Sequence, residues 1–486
     1  MKKLIILLLP IAFLMSCAKS LDEYNIDEKR PTTAPAPTLF TGALLNLSDA
    51  VTSPSVNTNV FRFYVQQWTT TEYLDEPRYN LTARTIPQAF WQALYRDVLM
   101  DLKQAKILVQ QDQFLDEEIK NNQLGQIEIV EVYAWSCLVN TFGNVPYTEA
   151  LDGDNALPKY DDARTIYNDL LARLDAGLDL LNPSFEGFGS ADLLYNSGTV
   201  KTQVAGWVKF GNSLKLKLAM IIADVDPTTA GPLIEEAAPN VFTSNADNAR
   251  FPYLATTPNN NPISDNLNPD LTSRQDFVGA EAFINKLNSL EDPRRPEYFT
   301  AVNGQFVGGR YGFANTYVNF STATERITAL DFEALLLDYS EVEFLLAEAI
   351  ERGFSVGGTA QQHYNNAITA SMQYWLAPNY NATAYLARPD VNYTSPGSGE
   401  NWREKIGTQK WIALYNRGYD AWTEWRRLDY PRLSPPSGPD VPAGLSIPVR
   451  LIYPVNEATL NTANRDQAAE AIGGDEVTTR LFWDVE

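Results

Sequence analysis

The chain is poor in the residues that most often carry chemistry. Its 486 residues include one histidine, His363, and two cysteines, Cys17 and Cys137. A single imidazole rules out paired histidine metal ligands, HExxH sites and any relay that needs two rings. His363 stands in QQHYNN, where a helical pattern puts it on the polar face, and it is read as solvated. No GxGxxG or GxxxxGK[ST] loop is present to cradle phosphates. Basic residues are also scarce. Lys and Arg total 38 against 60 Asp and Glu, a formal net charge of −22. Nucleic-acid binders need basic grooves, and anionic membrane surfaces attract cations, so neither is an expected partner. The apolar run from Leu4 to Met15 is too short to span a bilayer at roughly 20 residues.

The same run suits a signal peptide. MKKLIILLLPIAFLMSCAKS sets two lysines before it and Leu14-Met15-Ser16-Cys17 after it, which resembles a bacterial lipobox. Residues 1–16 are expected to be cleaved and Cys17 acylated, so that contact with the membrane runs only through the lipid anchor. That leaves Cys137 without a disulfide partner, and its apolar helical surroundings make it a small buried side chain. Residues 17–38, acidic and then proline-rich, read as a tether.

What the chain has in abundance is helical periodicity. The hydrophobic fraction is 44% and the aromatic fraction 12%, enough for a large core. In residues 331–353 apolar side chains fall at intervals of three and four from Phe332 to Ile350, with Gly353 a C-cap. After a glycine loop, Tyr364, Ala367, Ile368, Met372 and Trp375 form a second stripe. Ala360-x₃-Tyr364 and Ala163-x₃-Tyr167 share the small-x₃-aromatic spacing of tetratricopeptide repeats (TPRs). Further pairs are expected from 90–110 with the helix before it, from 127–141 with 162–181, and from 204–225 with 231–238. The expected fold is mainly α: a TPR-like scaffold of about four helix pairs, within 60–240 and 331–377. An irregular, loop-rich second lobe occupies about 240–325 and 378–486.

Residues 410–433, KWIALYNRGYDAWTEWRRLDYPRL, hold three of the ten tryptophans. Trp411, Tyr415, Tyr419 and Trp422 are spaced four, four and three apart, which on one helix is a single buried face. Arg417 falls off that face, and Arg426 and Arg427 near the helix end suit its exposed carbonyls. Catalytic constellations are otherwise not apparent. Asp152-Gly153-Asp154-Asn155 hints at calcium, but Ala156 and Ala163 occupy ligand positions of the EF-hand pattern. No cofactor is expected, and a structural calcium stays unassigned. A hydrolase using a carboxylate pair remains an alternative because sixty acids offer many pairs and none is singled out. A ligand-free assembly scaffold is another.

Several motifs resemble the SusD/RagB-like family of outer-membrane nutrient-binding lipoproteins. They are VNTFGNVPYTEAL (139–151), NSLKLKLAMIIADVDP (212–227), EDPRRPEYF (291–299), YSEVEFLLAEAIERG (339–353), the 410–433 stretch, and the tail from IPVRLIYPVNEA (447–458) to TTRLFWD (478–484). The resemblance implies a single SusD-like domain over 39–486 that binds and does not catalyse. It implies a surface-exposed, outer-membrane lipoprotein acting as a lid on a SusC-like TonB-dependent β-barrel transporter. The nutrient would be an oligosaccharide or, as in some members, a peptide. Rings in the loop lobe would hold it. By location and residue type the expected ligand rings are Trp68, Tyr73, Tyr79, Tyr298, Tyr311 and Tyr317, since an aromatic face suits the apolar face of a sugar.

Overall fold

Apolar stripes at helical spacing can be buried only by setting helix against helix. The computed structural model describes residues 34–196 and 200–485. The segment 1–16, Cys17 and all of the 17–38 stretch before Ala34 lie outside the described residues. Ten helices frame the fold: α1 (Ala36–Thr52), α2 (Met100–Gln111), α3 (Glu117–Phe142), α4 (Ala163–Asp179), α5 (Val200–Ile221), α6 (Pro227–Ala237), α7 (Tyr339–Glu351), α8 (Ala360–Trp375), α9 (Trp402–Ala413) and α10 (Gly418–Leu428). Four pairs result. Helix α1 packs on α2 and on the π-helical turns Ala93–Leu99 that precede it, α3 on α4, α5 on α6, and α7 on α8. This is the mainly α, paired-helix scaffold expected from periodicity, but it reaches beyond the expected bounds: α1 begins at Ala36, within the stretch read as a tether, and α9 and α10 lie in the stretch assigned to the loop-rich lobe. Ala163, Tyr167, Tyr364 and Ala367 are all buried at the pair interfaces. Cys137 is buried too, and burial pushes its thiol up to about 12.

The structure corrects the sequence reading at several places. First, α7 starts at Tyr339, eight residues later than the apolar stripe suggests. Ala334–Leu337 is strand β4, paired antiparallel with β2 (Ala249–Phe251). A short apolar run satisfies a helix period and a strand period alike, and Asp338 settles it by capping α7, its side chain accepting from the Glu341 amide. Second, His363 is not solvated. Its Nδ1 lies 2.6 Å from Glu343 Oε2 on α7 and its Nε2 3.0 Å from the Gly357 carbonyl. Burial pulls its pKa down, but the Glu343 carboxylate more than offsets this, and the net shift is upward.

Third, 410–433 is not one helix. It breaks between α9 and α10, where Asn416 takes a positive φ of 68°. Gly418 opens α10 because a Cβ there would sit 2.7 Å from the Arg62 backbone nitrogen. Arg62 binds the break from outside, donating to the Asn416 carbonyl at 2.8 Å and the Thr52 carbonyl at 2.7 Å. The aromatic rings stay buried, but they serve two clusters. Tyr415 stacks on Tyr298 at 4.2 Å, while Trp422 stacks on Phe61 at 4.8 Å.

Arg417, Arg426 and Arg427 do not meet exposed carbonyls at the end of α10; they are buried. Arg417 pairs with Asp338, Glu341 and Asp420, and Lys217 joins the last two. Arg427 is bidentate to Glu348 and also meets Glu424, which pairs with Lys410 at 2.7 Å. Arg352 extends the chain from Glu348 to Asp224, 3.2 Å from Arg403. Six carboxylates thus face six cations across α5, α7, α9 and α10, and the group is neutral. Burial raises the Glu424 pKa, but Arg427 and Lys410 outweigh it and hold the carboxyl well below the usual range. Arg426 has rings and carbonyls instead, with its guanidinium 3.5 Å over Trp422 and 4.8 Å from Trp483.

Candidate functional site

Strand β1 (Trp68–Thr70) pairs antiparallel with β3 (Phe277–Gly279), and this small sheet ties the second lobe to the scaffold. It also decides where the expected ligand rings point. Trp68 lies buried against Phe277, with its indole nitrogen donating to the Tyr415 hydroxyl at 3.1 Å. Tyr298 is 0% exposed and its hydroxyl donates to the Ile412 carbonyl. Tyr79 and Tyr311 are buried with ring centres 6.4 Å apart. Burial lifts both phenol pKa values, so both remain neutral. These four rings anchor loops and leave no free face for a ligand in this structure. Tyr73 and Tyr317 differ. Tyr73 is 40% exposed beneath the Arg84 guanidinium, which is ion-paired to buried Glu76. Tyr317 is half-buried and, with Trp68, lines an enclosed cavity of about 20 Å³, room for about one water.

The cleft that could take a larger ligand forms where three loops meet. Residues 71–84, 305–317 and 432–438 converge through main-chain capture. The Asn315 amide donates to the Thr70 and Phe313 carbonyls, Arg78 donates to the Gly312 carbonyl, and Arg310 donates to the Ser437 carbonyl. Gln66 donates to the Ser434 carbonyl at 2.7 Å from below. Gly312 has φ +77° and lies so close to Pro436 that a Cβ would be 2.4 Å from it, so only glycine fits. The resulting cleft holds about 390 Å³, within the usual range for ligand sites. Gln66, Glu281, Arg310, Phe313 and Arg432 line it, with Pro435 and Pro436 as a stiff wall. Buried Tyr311 contributes part of the wall and is the one expected ring that borders this cleft.

Arg310 and Phe313 flank Tyr311 in the glycine-rich stretch FVGGRYGF (306–313), and Arg432 falls in the 410–433 stretch. Charge at a glycine-rich turn reads as solvated, so neither arginine is among the expected site residues. The consecutive glycines before Arg310 are the available sequence signal for a tight loop that aims a side chain. A hollow of about 600 Å³ beside Ala34–Pro37 and Leu108–Leu115 is larger, but among the described residues its wall has no ring and no cation. Among the described residues no three His, Cys, Asp or Glu side chains are grouped as metal ligands.

A family model described as starch-binding, associating with the outer membrane, matches residues 28–454. The chain belongs to the SusD-like family. No curated protein matches it. Solved structures agree with the SusD-like fold. A chitin-binding protein is 26% identical with a TM-score of 0.79, covering 93% of this chain and 100% of its own. A SusD homologue from Bacteroides uniformis is 26% identical with a TM-score of 0.74, covering 92% and 99%. A chitin-binding SusD homologue from Flavobacterium johnsoniae is 22% identical with a TM-score of 0.76, also covering 92% and 99%, and supports the fold alone. The SusD-like family is described by what it binds and where, which accords with a binding role and not a catalytic one.

Proposed function

We propose that this SusD-like chain is a lipid-anchored protein on the cell exterior that captures an oligosaccharide in the three-loop cleft. It then delivers the glycan to a SusC-like TonB-dependent barrel. The observation that carries the reading is the cleft itself: a preformed hollow of about 390 Å³ on the loop lobe, walled by planar hydrogen-bonding groups and ring edges. The family description and the chitin-binding name of the 26% identical structural relative favour a glycan over a peptide. The lipobox at Cys17 supports the anchor, and among the described residues no helix is long and apolar enough to cross a membrane. Tyr73 and Tyr317, the two rings that reach the surface, are proposed as flanking contacts.

Two measurements test this. Calorimetry with oligosaccharides of four to six sugars should give saturable binding with no cleavage products; release of shorter sugars would replace the binder reading with a hydrolase. Extraction in gentle detergent should bring down a large outer-membrane barrel with the chain. Recovery of the chain alone would count against delivery.

A further inference from the structure

Carboxylates outnumber cations in this chain by 60 to 38, so an arginine that stays without an acidic partner is informative. The cleft has two. Arg310 and Arg432 line it, both are exposed, and neither is within ion-pair distance of a carboxylate among the described residues, although Tyr430 and then the more distant Glu400 and Glu404 raise the Arg432 pKa. Each is instead mounted on an aromatic ring. The Arg310 guanidinium lies 3.5 Å over Phe313, and that of Arg432 lies 5.2 Å over Tyr430. A third, Arg78, reaches the same Phe313 ring at 5.7 Å and also lacks an ion pair. Each gives one hydrogen bond to the protein: Arg310 to the Ser437 carbonyl, Arg432 to the Tyr430 hydroxyl and Arg78 to the Gly312 carbonyl. A guanidinium has five N–H groups in a planar fork that matches carboxylate and sulfate geometry. Most of that capacity is unused here.

The rings also bear on the matter. A neutral sugar is commonly held by stacking its apolar face on an aromatic face. Phe313 presents a face already occupied by a guanidinium. Glu281 is the one carboxylate on the cleft wall, set against Arg310 and Arg432, so the lining is net positive in a chain that is otherwise acidic.

We propose that the cleft selects anionic oligosaccharides, chains bearing carboxylate or sulfate groups, with Arg310 and Arg432 as the specificity-determining residues. This rests on the carbohydrate-binding reading above and narrows it. The test is calorimetry on the purified chain with three size-matched tetrasaccharides: neutral chitotetraose, carboxylated tetragalacturonate and a sulfated chondroitin tetrasaccharide. At least one anionic sugar should bind ten-fold or more tighter than chitotetraose, and which one does so tells carboxylate from sulfate recognition. Arg310→Ala and Arg432→Ala should each weaken the anionic sugar about ten-fold without changing the melting temperature. Arg310→Lys should recover only part of the loss, because a lysine cannot supply the planar fork. Equal or tighter binding of chitotetraose would overturn the anionic selectivity and leave carbohydrate binding intact. Anionic binding that is indifferent to both alanine variants would overturn the assignment to these arginines. Failure of all three sugars to bind would overturn both readings.

Discussion

Two sets of arginines in this protein live in opposite circumstances. Arg417, Arg427 and Arg352 are buried in the scaffold among carboxylates from α7 and α10 and Asp224 beyond α5. Arg310 and Arg432 line the loop cleft and Arg78 lies behind it, all three over aromatic rings and none within ion-pair distance of a carboxylate among the described residues. The residue type is the same, and the partner decides the role. A carboxylate partner uses up the guanidinium and fixes one helix to another. A ring partner positions the group while leaving its N–H edge available.

The largest break in this contrast should come from Arg427→Ala. It leaves Glu348 with Arg352 alone and Glu424 with Lys410 alone, one negative charge in excess in a buried network, and denaturant unfolding should show a loss of about 3–5 kcal/mol. A near-wild-type unfolding curve would show that the network does not hold the scaffold. Trp422→Ala is the apolar counterpart in the same helix. The indole is fully buried and donates to the Pro448 carbonyl, and its loss should cost about 3–5 kcal/mol by the same measurement. Unchanged stability with lost sugar binding would instead make Trp422 a ligand residue.

The scaffold should also show itself in pH dependence. Glu341, Glu348 and Glu424 have folded pKa values below the ordinary 4.5 because paired cations outweigh the effect of burial. Their contribution is complete above about pH 4.5 and is lost as pH falls below it. Burial raises Asp49 and Asp192 to about 6, so their contribution has the opposite sign: it is present at low pH and lost as pH rises through about 6. His363, with its pKa raised, acts in the same direction as these two. Thermal stability should therefore be highest near pH 4.5, falling below it as the glutamates protonate and falling above it, through about pH 6, as the contribution of Asp49 and Asp192 is lost. A maximum above pH 7 would contradict these assignments.

The lobe side of the comparison predicts small effects on stability and larger ones on binding. Arg310→Ala should alter unfolding by less than about 0.5 kcal/mol while weakening an anionic sugar. A large stability loss would place Arg310 with the scaffold arginines after all. Smallest of all is Tyr73→Ala, which should leave the fold untouched and reduce sugar affinity by about 1 kcal/mol in calorimetry if the exposed ring flanks the ligand.

The sequence disclosed the scaffold better than the site, for physical reasons. Helix pairs announce themselves through a period repeated over many residues, and Ala163, Tyr167, Tyr364 and Ala367 sit where that period puts them. A four-residue strand such as Ala334–Leu337 is too short for its period to be told from a helix. The break at Asn416 is fixed by Arg62, 354 positions away, and Asn416 and Gly418 alone are a weak local sign of it inside an aromatic stripe. The buried ion network was hidden for a related reason: a charged side chain reads as exposed until its partners, far off in the chain, are known. At the site, the loops 71–84 and 305–317 were identified by their rings, but the direction of a ring in an irregular loop is set by the β1–β3 sheet and by distant hydrogen bonds. Trp68, Tyr79, Tyr298 and Tyr311 consequently point inward, and the groups that point outward include arginines that sequence reading passes over.

The six-against-six charge network has a further consequence for how such a protein can change over time. Removing any one of its twelve members leaves one unbalanced charge in a buried group, so single substitutions there carry a stability cost. Only paired exchanges keep the count neutral, and paired exchanges are rare. The cleft arginines are under no such restriction. Arg310 or Arg432 can be replaced in one step with little effect on folding, and a new sugar preference can follow. The same chain therefore carries a rigid part with few open mutational paths and a recognition surface with many, which would let nutrient choice diversify on a frame that hardly moves.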